Sequence, residues 1–312
     1  PYRLYDMAVY EGFGLIAAGE RGLLVADVAT PNLPKIVGSY SAASKVTRVV
    51  VENDQAWMVD HETGIVVLHL ANLVKPVVLG RYHSGQAIAD MVVRGGYAYL
   101  LLCSQAPVMP ADNTSTSVCG NSTDLAIIDM RAPHAPVELS RVTLSSATQK
   151  IFVKGNYIYA AQPGAGLAII DATDKTHPSQ ISRHAVTGGA TAVTVQDNIA
   201  LVARGVNGIA VFDVADPAHI KWLGSHSRLG RVVGITGNAR QALLWNDRNE
   251  IITLDITRPA LPSIIAAHRD IAPVATMWLD ALSDNGAIIT ATSSAVHVMD
   301  FSATPPLISN EN

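Results

Sequence analysis

Gly166-Leu-Ala-Ile-Ile-Asp171 is one version of a phrase that recurs along the chain, as Gly22-Leu-Leu-Val-Ala-Asp27, Asp124-Leu-Ala-Ile-Ile-Asp129 and Gly208-Ile-Ala-Val-Phe-Asp213. Looser copies are Gly64-Ile-Val-Val-Leu-His69, Glu250-Ile-Ile-Thr-Leu-Asp255 and Ala295-Val-His-Val-Met-Asp300. Their last residues follow one another at intervals of 42, 60, 42, 42, 42 and 45 positions. The long interval leaves an insertion of 18 residues beyond a 42-residue period, and seven units plus that insertion account for all 312 residues. Self-similarity at a fixed period marks repeat architectures, in which each unit buries its apolar faces against its neighbours.

The unit that starts at Ala190 shows what one repeat contains. A β-rich run, Ala190-Thr-Ala-Val-Thr-Val-Gln196, ends at Asp197-Asn198, and a second covers Ile199 to Ala203. A turn at Gly205 to Gly208 leads to a third run from Ile209 to Val214, and Asp216-Pro217 breaks into a fourth, Lys221-Trp-Leu-Gly224. Four short strands per repeat are what a propeller blade requires. The spacing therefore predicts an all-β fold, a seven-bladed β-propeller of four-stranded antiparallel blades. It forms a single domain over residues 1–312, with an inserted loop at about 103–123 in blade 3. Gly155-Asn156 and Gly237-Asn238 mark first turns that need positive φ. Runs of Val, Ile and Ala without strict alternation fit sheets covered on both faces, which also accounts for 49% apolar residues and a mean hydropathy of +0.25. By the same phase the chain ends at Ser309 to Asn312 beside the start at Pro1, as in a domain inserted into a larger chain.

The Asp that closes each third strand precedes a Pro-containing turn, as in Asp27-Val-Ala-Thr-Pro31 and Asp213-Val-Ala-Asp-Pro217. Such an Asp accepts backbone N–H groups within the turn and holds the reversal, so these six acids are structural. The strand phrase, the Pro turn and the sequences Leu223-Gly-Ser225 and Val37-Gly-Ser-Tyr40 together resemble the LVIVD repeat, named for its strand sequence. The resemblance covers nearly the whole chain and implies a propeller of the kind found in bacterial and archaeal exported or surface proteins, without implying any particular chemistry. Three features depart from it: His69 in place of Asp, a worn unit around Glu250, and a Cys-bearing insertion.

A formal net charge of −4, a pI near 6.2 and 15% charged residues give no basic stripe, which argues against nucleic acid as a partner. No stretch approaches the roughly 18 consecutive apolar residues of a membrane-spanning helix. Cys103 and Cys119 flank a polar segment rich in Pro, Ser, Thr, Asn and Asp, and read as a stapled loop, with two free thiols as the alternative. A disulfide closing a loop of about 15 residues stabilises by roughly 3 kcal/mol and persists only in an oxidising compartment, so an extracytoplasmic location is expected. Two cysteines with no His pair nearby do not complete a zinc site. Gly164-Ala-Gly166 lacks the third glycine and the helix of a dinucleotide loop, and no hydrolase elbow, zincin pair or phosphate loop occurs. Asn113-Thr-Ser and Asn121-Ser-Thr are read as polar loop residues. His184, His226 and His268 stand 42 apart where earlier units have Tyr40 and Tyr82, and are read as packed rings rather than a metal triad. No cofactor and no metal are expected.

Strand order places the second-to-third-strand turns on the face from which each first strand begins, together with the insertion. Asp6, Arg48, Asp90, Lys150, Ala192, Val232 and Thr276 come to one level of the innermost strands, so that Asp6, Arg48, Asp90 and Lys150 alternate in charge at the mouth of a central channel. Two readings follow. In one, the four neutralise each other in a solvated ring. In the other, they form a pocket for a small polar ligand or a partner protein, roofed by the 103–123 insertion, with His61 and Glu62 of the Asp60-His61-Glu62 turn beside it. The expected function is a non-catalytic exported or cell-surface binding module, of a kind that larger surface proteins carry. The alternative is an enzyme in which Asp6 or Asp90 has a shifted pKa and acts at the channel mouth.

Overall fold

The computed structural model describes residues 4–28, 35–42, 44–103, 122–237, 240–248, 250–268, 287–291, 296–300 and 307–308. The first four-stranded antiparallel sheet is β1 (Asp6–Tyr10), β2 (Phe13–Ala17), β3 (Leu23–Asp27) and β4 (Lys35–Tyr40). The second is β5 (Val46–Glu52), β6 (Gln55–Asp60), β7 (Gly64–His69) and β8 (Val77–Tyr82). The third is β9 (Ala87–Arg94), β10 (Tyr97–Cys103), β11 (Thr123–Asp129) and β12 (Val137–Thr143). The fourth is β13 (Lys150–Lys154), β14 (Tyr157–Gln162), β15 (Gly166–Asp171) and β16 (Ser179–His184). The fifth is β17 (Ala192–Gln196), β18 (Ile199–Ala203), β19 (Ile209–Asp213) and β20 (Lys221–His226), with a one-turn 3-10 helix at Gly205–Asn207. The sixth is β21 (Val232–Gly237), β22 (Gln241–Asn246), β23 (Ile251–Asp255) and β24 (Ser263–His268). Strands β25 (Ala287–Ala291), β26 (Val296–Asp300) and β27 (Leu307–Ile308) form a three-stranded sheet.

The expectation of seven four-stranded blades is corrected by this count: the described residues form six four-stranded antiparallel blades. The seventh phrase, Ala295 to Asp300, supplies β26 to a sheet of three strands.

The chain falls into two compact units, Pro1–Tyr99 with Ile128–Glu138 and Val274–Asn312, and Leu100–Ile127 with Leu139–Pro273. In the first, Leu15, Leu23, Val46, Met58, Val66 and Leu68 pack into one core between successive blades. In the second, Tyr159, Ile169, Val195 and Phe212 form one such core, and Leu201, Val211, Val232, Leu244 and Leu254 another. Third-strand residues such as Val66, Ile169 and Val211 are buried without alternation, as sheets covered on both faces require.

The local turns follow the sequence. Positive φ occurs at Asn53, Asp197 and Gly155 in first hairpins. The turn expected at Gly237-Asn238 runs into Asn238, which lies outside the described residues, as do Asn32, Asn113, Cys119, Asn121, Thr276 and both chain ends. Asp129, Asp171, Asp213 and Asp255 each accept the backbone N–H two residues on, from Arg131, Thr173, Ala215 and Thr257, at 2.8–3.1 Å. His69, which departs from the phrase, fills the same role: its Nδ1 accepts from Ala71 N at 3.3 Å. His184, His226 and His268 lie opposite Leu167, Ile209 and Ile251, the register that Tyr40 and Tyr82 hold opposite Leu23 and Ile65. The His184 ring packs edge-on to Phe212 at 4.9 Å, and His226 Nδ1 meets Pro262 O at 2.9 Å. No helix among the described residues is long and apolar enough to cross a membrane.

Candidate binding site

In the first unit Asp6 opens β1 opposite Ala17, Arg48 lies in β5 opposite Val59, and Asp90 lies in β9. All three are withdrawn from water: Asp6 is 6% exposed and Asp90 1%. Arg48 Nη2 stands 2.5 Å from Asp90 Oδ1, with the two side chains 14% and 2% exposed. Asp6 Oδ1 accepts Met7 N at 2.9 Å, and Oδ2 accepts Val49 N at 3.0 Å. Thus Asp6 ties β1 to β5, and Arg48 with Asp90 ties β5 to β9. The expectation of a solvated ring is corrected for these three, because a charge taken out of water must be paired or hydrogen-bonded, and the bonds run between the first strands of neighbouring blades.

Lys150 opens β13 of the second unit opposite Ala161, in the same register as Asp6 opposite Ala17, and is half-buried. Ala192 holds that register opposite Ala203. Val232 does not, since it pairs with Asn246 and a bulge brings Gly234 opposite Trp245. A Cβ on Gly234 would lie 1.9 Å from the Trp245 ring, so the indole fills the space where other blades place a side chain.

Sequence reasoning missed a second set, at the ends of the second strands. Asp60, Gln162, Arg204 and Asn246 share one repeat position and are all buried. The available signal was a polar residue closing an otherwise apolar strand, with Gln162, Arg204 and Asn246 one period of 42 apart. Asp60 Oδ1 accepts the Ser44 hydroxyl at 2.6 Å and the N–H groups of Glu62 and Thr63 at 3.1 Å, while Oδ2 accepts Ser44 N at 3.2 Å. Burial pushes this carboxyl up, but the Ser44 hydroxyl and the N–H groups of Thr63, Ser44 and Glu62 outweigh it and hold Asp60 below the ordinary carboxylate value. The turn is thereby fixed to the chain that leads into β5, and it presents His61 and Glu62 to solvent. Gln162 Nε2 reaches Thr148 Oγ1 at 3.2 Å, and Asn246 Nδ2 reaches Leu229 O at 2.7 Å, so each also ties its turn to the start of its own first strand. Cys103 ends β10 and Thr123 opens β11, so the insertion stands in its blade where the Asp60 turn stands in the second. Residues 104–121, including Cys119, lie outside the described residues.

Arg204 is the cation of the set. Nη2 donates to Asn207 O at 2.7 Å, Cζ lies 5.6 Å from the Trp222 ring, and Nε is buried with no acceptor. Desolvation lowers the pKa of the guanidinium. A charge-assisted hydrogen bond contributes about 1.5–3 kcal/mol and a cation–π contact about 0.5–2 kcal/mol, against a desolvation cost on the order of several kcal/mol.

The LVIVD repeat matches at residues 5–42, 146–185 and 187–227. No curated protein sequence matches the chain. Among solved structures, a functionally unknown protein from Desulfotomaculum acetoxidans aligns with a TM-score of 0.75 at 12% identity, covering 94% of this chain and 93% of that one. The computationally designed Ika8 protein aligns with a TM-score of 0.65 at 13% identity, covering 95% and 96%. BamB from Moraxella catarrhalis aligns with a TM-score of 0.57 at 13% identity, covering 96% and 83%. At these identities the likeness is one of fold. The chain is a β-propeller protein that carries LVIVD repeats.

Proposed function

We propose that residues 1–312 act as one binding domain outside the cytoplasm, without catalysis, and that the protein or small polar ligand they bind is held by the face that carries the 103–123 insertion. The observation that carries this reading is the Asp60 turn, whose carboxylate takes four hydrogen bonds from Ser44, Glu62 and Thr63 while His61 and Glu62 stand in solvent. A rigid turn loses little conformational freedom on binding, which favours recognition by its exposed side chains. Asp6 and Asp90, the acids that an enzyme reading would use, are already engaged by Val49 N and Arg48.

The test uses the protein as bait against an extract of its native host, comparing variants. His61→Ala combined with Glu62→Ala should reduce capture at least about tenfold while leaving stability within about 0.5 kcal/mol, as exposed substitutions do. Asp216→Ala, in an exposed Pro turn, should capture as the unmodified protein does. Loss of capture in the Asp216 variant alone would place the functional surface elsewhere. The extracytoplasmic location rests on a disulfide between Cys103 and Cys119. Alkylation of unreduced native protein should label neither thiol, and labelling of both would contradict the bond and the location together.

A further inference from the structure

The geometry around Arg204 points to a second site, in the second unit, that takes a carboxylate adjoining an apolar or aromatic group. Arg204 is 9% exposed, and among the described residues it makes no ion pair. Of its equivalents, Asp60 and Asn246 commit their polar atoms to their own turns and strand starts, and Gln162, whose Oε1 is buried without a partner, carries no charge. Arg204 has one acceptor, the neutral carbonyl of Asn207, and its Nε–H has none. A guanidinium is a planar fork whose donors match the two oxygens of a carboxylate, and a carboxylate supplies the countercharge that this one lacks.

The surroundings set the rest of the ligand. Trp222 is held by Phe212, edge-on at 5.2 Å, and by His184, stacked at 6.4 Å, yet remains 42% exposed. Val206, in the turn that Arg204 precedes, is 72% exposed. A fixed, half-exposed indole and an exposed aliphatic side chain beside a cation favour an acidic peptide segment with a neighbouring aliphatic residue. This site does not depend on the Asp60 turn, and its loss leaves capture through His61 and Glu62 unchanged.

The experiment follows two NMR signals of the isotope-labelled full chain, the Arg204 Nε–Hε and the Trp222 indole Nε1–H, both assigned by through-bond connectivity. The probes are the capped dipeptides acetyl-Leu-Glu-amide and acetyl-Leu-Gln-amide, which differ in the carboxylate alone. Both signals should shift saturably with the Glu probe, and the Gln probe should bind at least about tenfold more weakly. Arg204→Lys should abolish the response of the Trp222 signal to the Glu probe, and Trp222→Ala should weaken the response of the Arg204 signal. No saturable shift, or equal shifts with both probes, would overturn the assignment. That comparison is made on the unmodified protein, so it decides the matter even if Arg204→Lys fails to fold.

Discussion

Asp90→Ala is expected to lower the free energy of unfolding by about 3–5 kcal/mol, because it removes the carboxylate that stands 2.5 Å from the Arg48 guanidinium in a nearly dry setting. An exposed charge at the same place would cost within about 0.5 kcal/mol, so the magnitude separates the two settings. Arg48→Met should also be strongly destabilising, by taking the guanidinium away from the buried Asp90 carboxylate. Combining Arg48→Met with Asp90→Leu removes both charges and should recover much of the loss, since an apolar pair of similar volume can replace a buried ion pair. Denaturant unfolding of these proteins together with Asp90→Leu alone closes the cycle and gives the coupling directly. Additive losses would mean that the two groups do not depend on each other, contrary to their 2.5 Å approach.

Gly80→Ala should also be strongly destabilising. A Cβ there would lie 1.6 Å from Pro133 O, a backbone atom that cannot turn aside, and overpacking of this kind costs typically about 1–3 kcal/mol or more. Gly80 lies opposite Val67 beside a bulge, and Ser182 lies opposite Ile169 beside the equivalent bulge. Ser182 has a Cβ and uses its hydroxyl to reach Pro217 O at 2.6 Å. Ser182→Gly should therefore lose about one hydrogen bond, roughly 1 kcal/mol, and Gly80→Ala should lose more. Thermal unfolding of both variants checks the order, and equal midpoints would show that the close approach at Gly80 relaxes freely.

The repeat and the four-strand order of a blade were legible because each strand type carries its own punctuation, such as Asp213 before a Pro turn and Gly155 at a hairpin. The 42-residue phase located the register of Asp6, Arg48 and Lys150 correctly, even though a bulge precedes Arg48 in its strand. Val232 departs from that phase: a step of 42 from Ala192 leads to Gly234, the residue that lies opposite Trp245. Burial of Asp90 was also hidden: spacing gives a level on a strand but not the distance to the next blade, which decides whether water reaches the carboxylate. The roles of Asp60 and Asn246 were not legible either, because hydrogen bonding to Ser44 or Leu229 depends on where the preceding linker runs. The blade count was corrected at the seventh phrase, where Val296–Asp300 belongs to a sheet of three strands among the described residues.

Amide hydrogen exchange with and without the captured partner decides which face binds. Protection on binding should concentrate at residues 60–64 and at the start of β5, with the Pro turns at 132–135, 174–177 and 216–219 unchanged. Protection at those Pro turns, with residues 60–64 exchanging as in the free protein, would contradict binding through the Asp60 turn.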